Sequence, residues 1–492
     1  MILSKMKNKI TNLIILCLVF SMSVSADIIH VNSLAELKPY LTQDNISVKL
    51  TPGEYTVTAN DISSGKIGKY WTGTKYIRRN FNVFLFEGNN STYDFTGVKV
   101  KIKTQTAQSV GRVDFYEVRT IGSNNVILNL TVEDDGSVHD QPTFRATNVV
   151  LDGANNRLEG GHFTVKGSFP YGYGDMFGKG GRTLIDHHKR SACLVRGKSN
   201  MVKNSTFICR SYGHGIFFQG AEDPIIDGCY VEGELRSTAD VLAEEGTGSP
   251  ADKVNFETVY GFNLKDRKEN YYFSLQEAGV RSYNAGETVI DGVEYDRGVN
   301  GATVLNTTIV KMRVGVNVGW ATGTKRVENC KALACETGYW IGSNGKIVNC
   351  KGDASIGSLL TEDLYRSNAT IDLTLVDNYV TPLDGEVTDL YCAGSGHHIT
   401  LHDSTTYDND IKIVIGGERL AHRFMDGASN KPLNFDADNL TFINYSKYPI
   451  EIGDKATDIK IITCGPKKTV KDNGIRTSIS YNKDCSSIEP TE

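Results

Sequence analysis

The chain has 492 residues, of which 39% are hydrophobic and 23% charged, with 49 Gly and only 11 Pro. This composition is too apolar and too low in charge for a disordered chain, so a large buried core is expected. The formal net charge is −5, and loss of the three lysines in the N-terminal leader described next would leave roughly −8 by the same count. Because a polyphosphate binder should be basic, nucleic acid is not an expected partner.

Residues 1–26 have the pattern of a cleaved secretory signal. Three lysines precede an apolar run from Leu13 to Phe20, and Val24, Ser25 and Ala26 form a small-residue cleavage site. The run is too short to remain as a membrane span, and no later stretch approaches the required length. We therefore expect a mature chain that starts at Asp27, is secreted or periplasmic, and has no membrane attachment. A lipoprotein signal at Cys17 is the weaker alternative, because the bulky Leu16 precedes it.

Nine of the ten cysteines follow this cleavage site, so at least one is expected to stay unpaired. The chain has no CxxC motif, which argues against zinc and thioredoxin-like chemistry. Two pairs share a spacing of 20 residues, Cys209 with Cys229 and Cys330 with Cys350. We interpret that spacing as part of a structural repeat.

Short strand-like phrases recur about every 20 to 24 residues. In each, apolar side chains alternate with polar ones before a small or amide residue. The phrases are 125–132, 201–207, 224–231, 302–310, 326–331 and 346–351. A second set lies between them, at 192–197, 215–220, 314–319 and 337–342. From Leu194 to Ile216 is 22 residues and from Val318 to Ile341 is 23, so both sets share one period and predict a coil.

In such a coil each turn makes about three short strands, and every strand pairs in parallel with its neighbours one turn away. Stacking would place Asn329 over Asn349 and Cys330 over Cys350 as internal ladders. This pattern resembles the right-handed parallel β-helix of the pectate-lyase-like superfamily over most of residues 45–470. The resemblance implies an all-β, single-stranded, right-handed parallel β-helix, with residues 27–492 forming one domain. Scarce proline fits, because interior strands need their N–H groups.

Segments at the ends and in two long insertions depart from the repeat. Ser33 is a plausible N-cap for a helix whose Leu34, Leu37 and Leu41 share one face, and we expect this helix to cover the open end of the coil. Residues of about 167–191 and 234–285 have loop composition and are interpreted as excursions. The polar tail after about residue 478 is expected to be frayed.

The densest set of chemistry-bearing residues lies in two segments one coil apart. Lys189 and Arg190 follow His187 and His188, and Arg210, Tyr212 and His214 occupy the equivalent place one coil later. If the register holds, Lys189, Arg190, Tyr212 and His214 stack at one edge of an outer groove. We predict catalytic roles for His214, Tyr212, Lys189 and His188, and substrate-binding roles for Arg190 and Arg210.

The second excursion and later strands add candidates for the walls of that groove. Arg281 and Arg297 are predicted anion clamps, and Tyr283 is a predicted acid, base or substrate contact. Trp320 is a predicted stacking surface for a sugar, as is Trp340, which could equally fill the core.

These residue types suit β-elimination next to a uronate carboxylate. A base removes the C5 proton, cations neutralise the carboxylate, and a second group protonates the departing C4 oxygen. The resemblance implies uronic-acid glycans as substrates of the superfamily. We therefore predict a lyase that acts on an acidic, possibly sulfated, polysaccharide or its oligosaccharides, either cleaving the chain or dehydrating a terminal uronate. The protein is expected to act as a monomer.

Two other functions remain open. The segment Tyr212-Gly213-His214-Gly215 resembles the Gly-His-Gly segment of polygalacturonase-type hydrolases, but Ser191-Ala192-Cys193 stands where those enzymes carry an Asp-Asp pair. A hydrolase would need carboxylates such as Asp240, Glu244, Glu277 or Asp296. The third function is non-catalytic glycan binding.

Calcium is a further possibility, because many lyases of the resembling superfamily use it to neutralise the substrate. Glu133, Asp134, Asp135 and Asp140 offer the hard oxygen ligands that Ca²⁺ prefers. Their spacing matches no EF-hand loop, and such a run is typical of an exposed turn. No cofactor is predicted with certainty.

Overall fold

The computed structural model describes residues 27–179, 182–266, 270–361, 366–383, 389–406, 411–419, 433–464 and 469–482. The predicted signal segment and the residues after 482 lie outside the described part. Strand accounts for 48% of the structure and helix for 8%, which confirms the predicted all-β class.

Two parallel sheets form the coil. A complete turn gives two strands to a 23-stranded sheet and one to a 10-stranded sheet, and the same order repeats turn after turn. The predicted right-handed parallel β-helix is thus confirmed. Strands of the 23-stranded sheet are Ile28–Val31, Ser47–Leu50, Gly53–Val57, Thr92–Asp94, Val98–Lys103, Val126–Leu128, Thr131–Asp135, Arg157–Glu159, His162–Lys166, Met201–Lys203, Thr206–Arg210, Ile225–Asp227, Tyr230–Glu232, Asn300–Leu305, Thr308–Val310, Thr322–Glu328, Lys331–Leu333, Lys346–Gly352, Thr370–Leu375, His398–Asp403, Thr441–Asn444, Lys460–Cys464 and Ser478–Asn482.

The 10-stranded sheet is parallel except at its first strand, which pairs antiparallel with the second. Its strands are Lys69–Trp71, Asn80–Phe86, Asp114–Thr120, Ala146–Leu151, Arg190–Val195, Ile216–Phe218, Ala278–Ser282, Val314–Asn317, Thr337–Trp340 and Ser358–Leu360. In the C-terminal turns two smaller parallel sheets follow. They comprise Leu390–Cys392, Ile413–Ile415, Ile450–Ile452 and Val470–Asp472, and Gly394–Ser395, Ala437–Asp438 and Ala456–Thr457.

Every second side chain along each strand points into the coil, and these side chains form the core. Ile127, Leu158, Val202 and Ile226 pair in register on consecutive turns, and each is at most 1% exposed. Full burial of such a side chain is worth about 1.5–3 kcal/mol. Because every turn adds one member to each column, the same few residue types recur in the sequence, and this recurrence is the repeat described above.

Corner ladders fix the register. Asn349 donates from Nδ2 to Oδ1 of Asn329 at 2.7 Å, and the Cys330 backbone N–H donates to Sγ of Cys350 at 3.4 Å, so the predicted stacking is confirmed. The cysteine ladder is internal as predicted, but the asparagine ladder is exposed, because each corner amide points away from the core. The predicted period is less regular. Leu194 pairs with Phe217, an offset of 23 where 22 was expected. Thr206 pairs with Tyr230, so Cys209 and Cys229 do not stack. Corner loops differ in length, and equal spacing therefore does not always mean stacking.

The N-terminal cap is confirmed. Ser33 Oγ accepts from the Glu36 backbone N–H at 3.2 Å and starts a helix over Leu34–Leu37, which continues as a 3₁₀ turn over Lys38–Thr42. Leu34, Leu37 and Leu41 are buried in the main core, where they cover the end of the coil. Other short helices span Ala59–Ser63, Thr106–Ser109, Thr238–Leu242 and Pro250–Lys253, with a 3₁₀ turn at Leu264–Asp266.

The two excursions pack on each other and form a second small core. Its buried members include Tyr171 and Phe177 from the first excursion and Phe256, Tyr260 and Phe273 from the second. Hairpins within the insertions pair Gly178–Lys179 with Arg182–Thr183 and Leu235–Ser237 with Tyr272–Ser274; others pair Glu287–Ile290 with Val293–Asp296 and Gly417–Arg419 with Leu433–Phe435.

Two predicted boundaries differ from the structure. The second excursion was expected to reach residue 285, but Ala278–Ser282 is a strand of the coil that pairs with Ile216–Phe218. The tail was expected to fray after about 478, yet Ser478–Asn482 pairs with Lys460–Cys464. In both cases a strand of only five residues lies beside polar loop sequence, so composition hides it.

Seven cysteines of the described part are free and buried, and Cys464 is disulfide-bonded. Among the described residues, none of the helices has the length and apolar character needed to cross a bilayer.

Candidate active site

A cavity of about 270 Å³ opens on the outer face of the 10-stranded sheet. Five consecutive turns contribute to it, from the strand Asp114–Thr120 to the strand Ala278–Ser282. It is lined by Asp114, Tyr116, Arg145, Ala146, Thr147, Lys189, Ser191, Leu194, Arg196, His214, Phe217, Gln219, Glu277 and Tyr283.

Strand alternation places these side chains outside the coil. Cys193 pairs with Ile216, and both belong to the main core, whereas their neighbours Leu194 and Phe217 pair with each other and form an outer apolar floor. Residues two positions from an outward side chain also face outward.

His214 lies at the centre of the site. Its Nε2 is 2.7 Å from the Tyr283 hydroxyl oxygen and 3.2 Å from Oε2 of Glu277. Its Nδ1 accepts from the backbone N–H of Ala278 at 3.2 Å. Burial lowers the pKa of His214 to about 3, although Glu277 acts in the opposite direction. In the neutral ring the proton is therefore on Nε2, which donates toward Tyr283 and Glu277.

Glu277 connects the cationic side chains of the site. Its Oε1 accepts from Lys189 Nζ at 2.9 Å and lies 4.0 Å from Nη2 of Arg313. Burial alone would raise the pKa of Glu277, but His214, Lys189 and Arg313 together hold it well below its usual range. Glu277 is thus a permanent carboxylate that orients its neighbours.

Tyr283 presents the reactive hydroxyl. Its ring packs edge-on against His214 and Phe217, and the Arg281 guanidinium carbon lies 4.8 Å from its centroid. Burial and the charge of Glu277 raise the pKa of Tyr283 to about 12, against the opposing effect of Arg281 and Arg313. Its oxygen accepts from His214, so its own proton is free to move into the cavity.

Arg196 supplies a charge to the cavity without a protein counter-ion in direct contact. The residue is 6% exposed, and its Nε and Nη1 have no hydrogen-bond partner among the described residues. The other cavity arginine differs, because Arg145 makes a two-pronged contact with Asp114 at 2.9 and 3.1 Å. Buried polar groups are almost always paired, so Arg196 is suited to an anionic ligand such as a carboxylate.

The structure brings three of the predicted site residues together. Lys189, His214 and Tyr283 meet around Glu277. Tyr212 lies directly beneath Lys189, whose Nζ is 4.8 Å from the ring centroid, but Tyr212 is fully buried and its hydroxyl donates to the Gly178 carbonyl at 3.2 Å. Tyr212 therefore supports the cavity without lining it.

Other predicted catalytic or binding residues of this region face elsewhere. Arg190, the neighbour of Lys189, points into the coil, where it binds Glu117 and Asp134. His188 pairs through Nδ1 with the Pro142 carbonyl at 2.8 Å. His187 packs edge-on against Tyr212, and burial lowers the pKa of His187 to about 4.

The remaining predicted binding residues lie outside the cavity. Arg210, on the 23-stranded sheet, contacts Glu232 at 2.7 Å and Glu234 at 3.2 Å. Arg297 donates to Glu222 at 2.9 Å and to two backbone carbonyls, which indicates a structural clamp. Arg281 stacks on Tyr283 at the cavity edge, and Trp320 lies in the turn after the next strand, Val314–Asn317, where its ring contacts Trp340.

Sequence reasoning missed Arg196 and Tyr116. It placed the segment of Glu277 at the wall of the groove, but gave Glu277 itself a catalytic role only in the hydrolase alternative. A signal existed for Arg196, because it follows the outward Leu194 by two residues. Glu277 lies 88 residues from Lys189 in the chain, and nothing in the sequence indicates that the two excursions return to the same place.

The carboxylates considered for calcium are occupied by protein partners. Glu133 pairs with Lys99, and Asp135 pairs with Lys103 at 2.6 Å. Asp134 binds Arg190, and Asp140 accepts from Gln105 at 2.8 Å. Within the described ranges no group of three or more His, Cys, Asp or Glu side chains could hold a metal ion. This segment does not fit a calcium site, and we derive no step through one.

Comparisons with known proteins find similarity to solved structures alone. No family model matches the chain, and no curated protein matches it. A mannuronic acid specific polysaccharide family 6 lyase from human gut microbiota is 9% identical, with a TM-score of 0.46, over 93% of this chain and 91% of that one. The A-module of a mannuronan C-5 epimerase of Azotobacter vinelandii is 10% identical, with a TM-score of 0.38, over 89% and 91%.

A tailspike protein mutant of E. coli bacteriophage HK620, in complex with a pentasaccharide, is 9% identical, with a TM-score of 0.41, over 92% of this chain and 75% of that one. Identities this low assign no activity to the present chain. The resemblance to polysaccharide-active β-helix proteins inferred from the sequence is confirmed for the fold, because the coil itself has the predicted architecture.

Proposed function

We propose that the protein is a lyase that acts by β-elimination on a uronate-containing polysaccharide or its oligosaccharides. One observation carries this proposal: a Tyr283–His214–Glu277 network and Arg196, whose Nε and Nη1 lack hydrogen-bond partners among the described residues, line the same cavity of about 270 Å³. The first supplies proton transfer and the second supplies carboxylate binding, which are the two requirements of the reaction.

Substrate binding begins with the carboxylate. Arg196 takes the uronate carboxylate, with Lys189 as a second cation at the cavity edge. Neutralising this group acidifies the C5 proton, because the carbanion that forms there delocalises into the carboxylate. Leu194 and Phe217 provide an apolar floor for the sugar ring.

Tyr283 then acts as the base. Its phenolate, stabilised by the Nε2–H donor of His214, takes the C5 proton; the C5–H electron pair becomes the C4–C5 double bond, and the C4–O bond breaks with its electrons on oxygen. The departing oxygen takes a proton from the new Tyr283 hydroxyl or from Lys189. If that oxygen is glycosidic the chain is cut, and if it is a terminal hydroxyl, water is lost.

The hydrolase alternative has less support from the site. Of the carboxylates considered for it, Glu277 is the one that lines the cavity, and its pKa is held well below the range of a general acid. The other cavity carboxylate, Asp114, is held by Arg145. Asp240 caps a helix, Glu244 binds Arg236, and Asp296 lies exposed on a hairpin that does not line the cavity. An inverting mechanism needs one protonated carboxyl and one free carboxylate on either side of the reacting bond, and the described residues of the cavity offer no such pair.

Export remains part of the proposal, because an extracellular or periplasmic location gives the enzyme access to acidic glycans. The motivation is the signal-like pattern of residues 1–26. Detection of the mature protein starting at Asp27 in the medium or periplasm of a bacterial host would support this location, and its retention uncleaved in the cytoplasm would contradict it.

The test is a substrate screen with an optical readout. Alginate, pectate, ulvan and glycosaminoglycan fragments are incubated with the protein, and unsaturated uronate is followed by its ultraviolet absorbance. We expect absorbance with at least one acidic glycan and none with Tyr283→Phe, whereas Tyr295→Phe, on an exposed hairpin, should retain it. New reducing ends without absorbance would indicate hydrolysis, and binding without product would indicate a glycan-binding protein.

A further inference from the structure

The 10-stranded sheet carries a row of unpaired side-chain donors that starts at the cavity edge. Phe217 pairs with Arg281, Arg281 with Asn317, and Asn317 with Trp340, so these residues form one outer column. Arg281 Nε, Asn317 Nδ2 and Trp340 Nε1 all lack a hydrogen-bond partner within the described part of the chain. Asn317 is only 1% exposed.

One unpaired buried donor would be a local imperfection, but three on consecutive rungs are a pattern. A buried N–H without an acceptor destabilises the folded chain, because it loses its hydrogen bonds to water and gains none in return. Native proteins leave few such groups, and those that persist call for an explanation, of which a role in binding is one.

Two indole rings and a further cation lie beside this row. Trp320 is 38% exposed and meets Trp340 at 6.3 Å between ring centroids, at an interplanar angle of 62°. The guanidinium carbon of Arg366 lies 4.9 Å from the Trp320 centroid. Aromatic faces with polar edges suit a sugar ring, whose C–H face packs on the indole while its hydroxyls reach donors. Arg281 adds a guanidinium to the patch.

The spacing also fits an extended glycan. Successive strands lie about 4.8 Å apart, a rise similar to the advance of one pyranose along an extended polyuronate. A chain that lies across the strands would therefore present about one sugar to each rung. Arg281 joins the patch to the cavity, because its guanidinium stacks on Tyr283.

We propose that Arg281, Asn317, Trp340 and Trp320 form a second sugar-binding subsite, which holds an anionic residue of the same glycan whose reacting residue occupies the cavity. This inference rests on the proposed function for the identity of the ligand. The three donor atoms are screened from water, so a bound sugar reaches them only when neighbouring side chains move, and the exposed Trp320 ring, which packs against Trp340, is one such neighbour. Ligand binding should therefore change tryptophan fluorescence.

The chain has three tryptophans, and the third, Trp71, stacks with Arg119 at 4.4 Å on the first strand of the sheet. This arrangement permits a direct binding experiment. Disaccharides and pentasaccharides of galacturonate, mannuronate and guluronate are titrated into Tyr283→Phe protein, with fluorescence and calorimetry as readouts. Trp71→Phe in the same background is the matched control.

We expect one pentasaccharide to bind about tenfold more tightly than its disaccharide and to change the fluorescence. In Trp320→Ala the pentasaccharide should bind no more tightly than the disaccharide. In Asn317→Asp, which is close in shape and adds a negative charge, the pentasaccharide should lose at least as much affinity. Circular dichroism confirms that each variant is folded.

Length-dependent affinity that survives in both folded variants would overturn the subsite, and so would failure of every oligosaccharide to bind. A different result would contradict the proposed function. Unsubstituted protein that binds pentasaccharide through Trp320 yet yields no unsaturated product would retain the subsite and contradict the lyase.

Discussion

The Nε2 atom of His214 donates to the hydroxyl of Tyr283, across 2.7 Å, because Nδ1 of the same ring is already an acceptor for the Ala278 backbone N–H. The direction of this hydrogen bond decides which residue can be the base. His214 in this tautomer has no free lone pair toward the cavity, whereas the Tyr283 oxygen gains a donor that stabilises its phenolate.

The pH dependence of activity follows from this assignment. The pKa of Tyr283 is raised to about 12, so the reactive phenolate is the minor form at neutral pH. We expect kcat/KM to rise about tenfold per pH unit from neutral to alkaline conditions, up to the pH at which the protein unfolds. If His214, with a pKa of about 3, were the base, the profile would be flat above about pH 5. A pH–rate profile of unsaturated-product formation separates the two.

Substitution of the tyrosine–histidine pair should affect activity to different degrees. Tyr283→Phe removes the proton acceptor, and we expect a loss of at least about 10³-fold in kcat. His214→Gln removes the ring donor and should cost about 10²-fold while moving the alkaline limb to higher pH, because the phenolate loses its stabilising partner. Equal losses in both variants with an unchanged pH profile would argue against a base stabilised by His214.

The fold could be predicted because its determinants are local and repeated. Alternation gives each strand an inner face, and a corner amide such as Asn329 or Asn349 takes the left-handed conformation, at φ of 53° and 49°. Because these signals recur at every turn, a wrong assignment at one position did not change the predicted fold. The register was inexact, because loops of different length displace it by one or more residues.

The site was predicted in part, for a physical reason. Stacking brought Lys189 and His214 together as expected, but alternation also turns Arg190 into the coil, and the prediction treated these neighbours as one cluster. Tyr212 lies two residues before His214 and therefore faces the same side of the sheet, but the first excursion covers its side chain. The contacts that assemble the site depend on the path of two long insertions, and no periodic pattern encodes that path.

We expect substitution of Arg196 to raise folding stability and to weaken substrate binding. Its buried guanidinium has two nitrogens without hydrogen-bond partners, although burial, which lowers its pKa, is outweighed by Tyr116, Asp152 and Glu287, which raise it. Replacement by an apolar group of similar length removes the cost of leaving these two donors unpaired. We expect Arg196→Met to raise the free energy of unfolding by about 1–3 kcal/mol while lowering kcat/KM by at least about 10²-fold. Thermal unfolding and product absorbance are measured on the same samples.

Arg326→Met, at an exposed surface pair, is the control and should change neither the stability nor kcat/KM by much. A destabilised Arg196→Met would show that this charge is already compensated within the protein.

Glu277 should be required for folding stability as well as for activity. Its carboxylate lies among Lys189, His214 and Arg313. Glu277→Gln would leave the partly exposed Lys189 without its counter-ion and Arg313 with Asp175 alone. We expect a loss of about 1–3 kcal/mol in the free energy of unfolding, measured by urea unfolding at neutral pH. Because the folded-state pKa of Glu277 is lowered, its contribution is fully present above the unfolded value of about 4.3 and is lost as pH falls below it. The difference in the free energy of unfolding between wild type and Glu277→Gln should therefore shrink in acid.

Glu451→Gln is the control. It breaks an exposed pair with Lys471 and should cost no more than about 1 kcal/mol. A difference between wild type and Glu277→Gln that is small at neutral pH, or that grows in acid, would contradict the role assigned to this carboxylate.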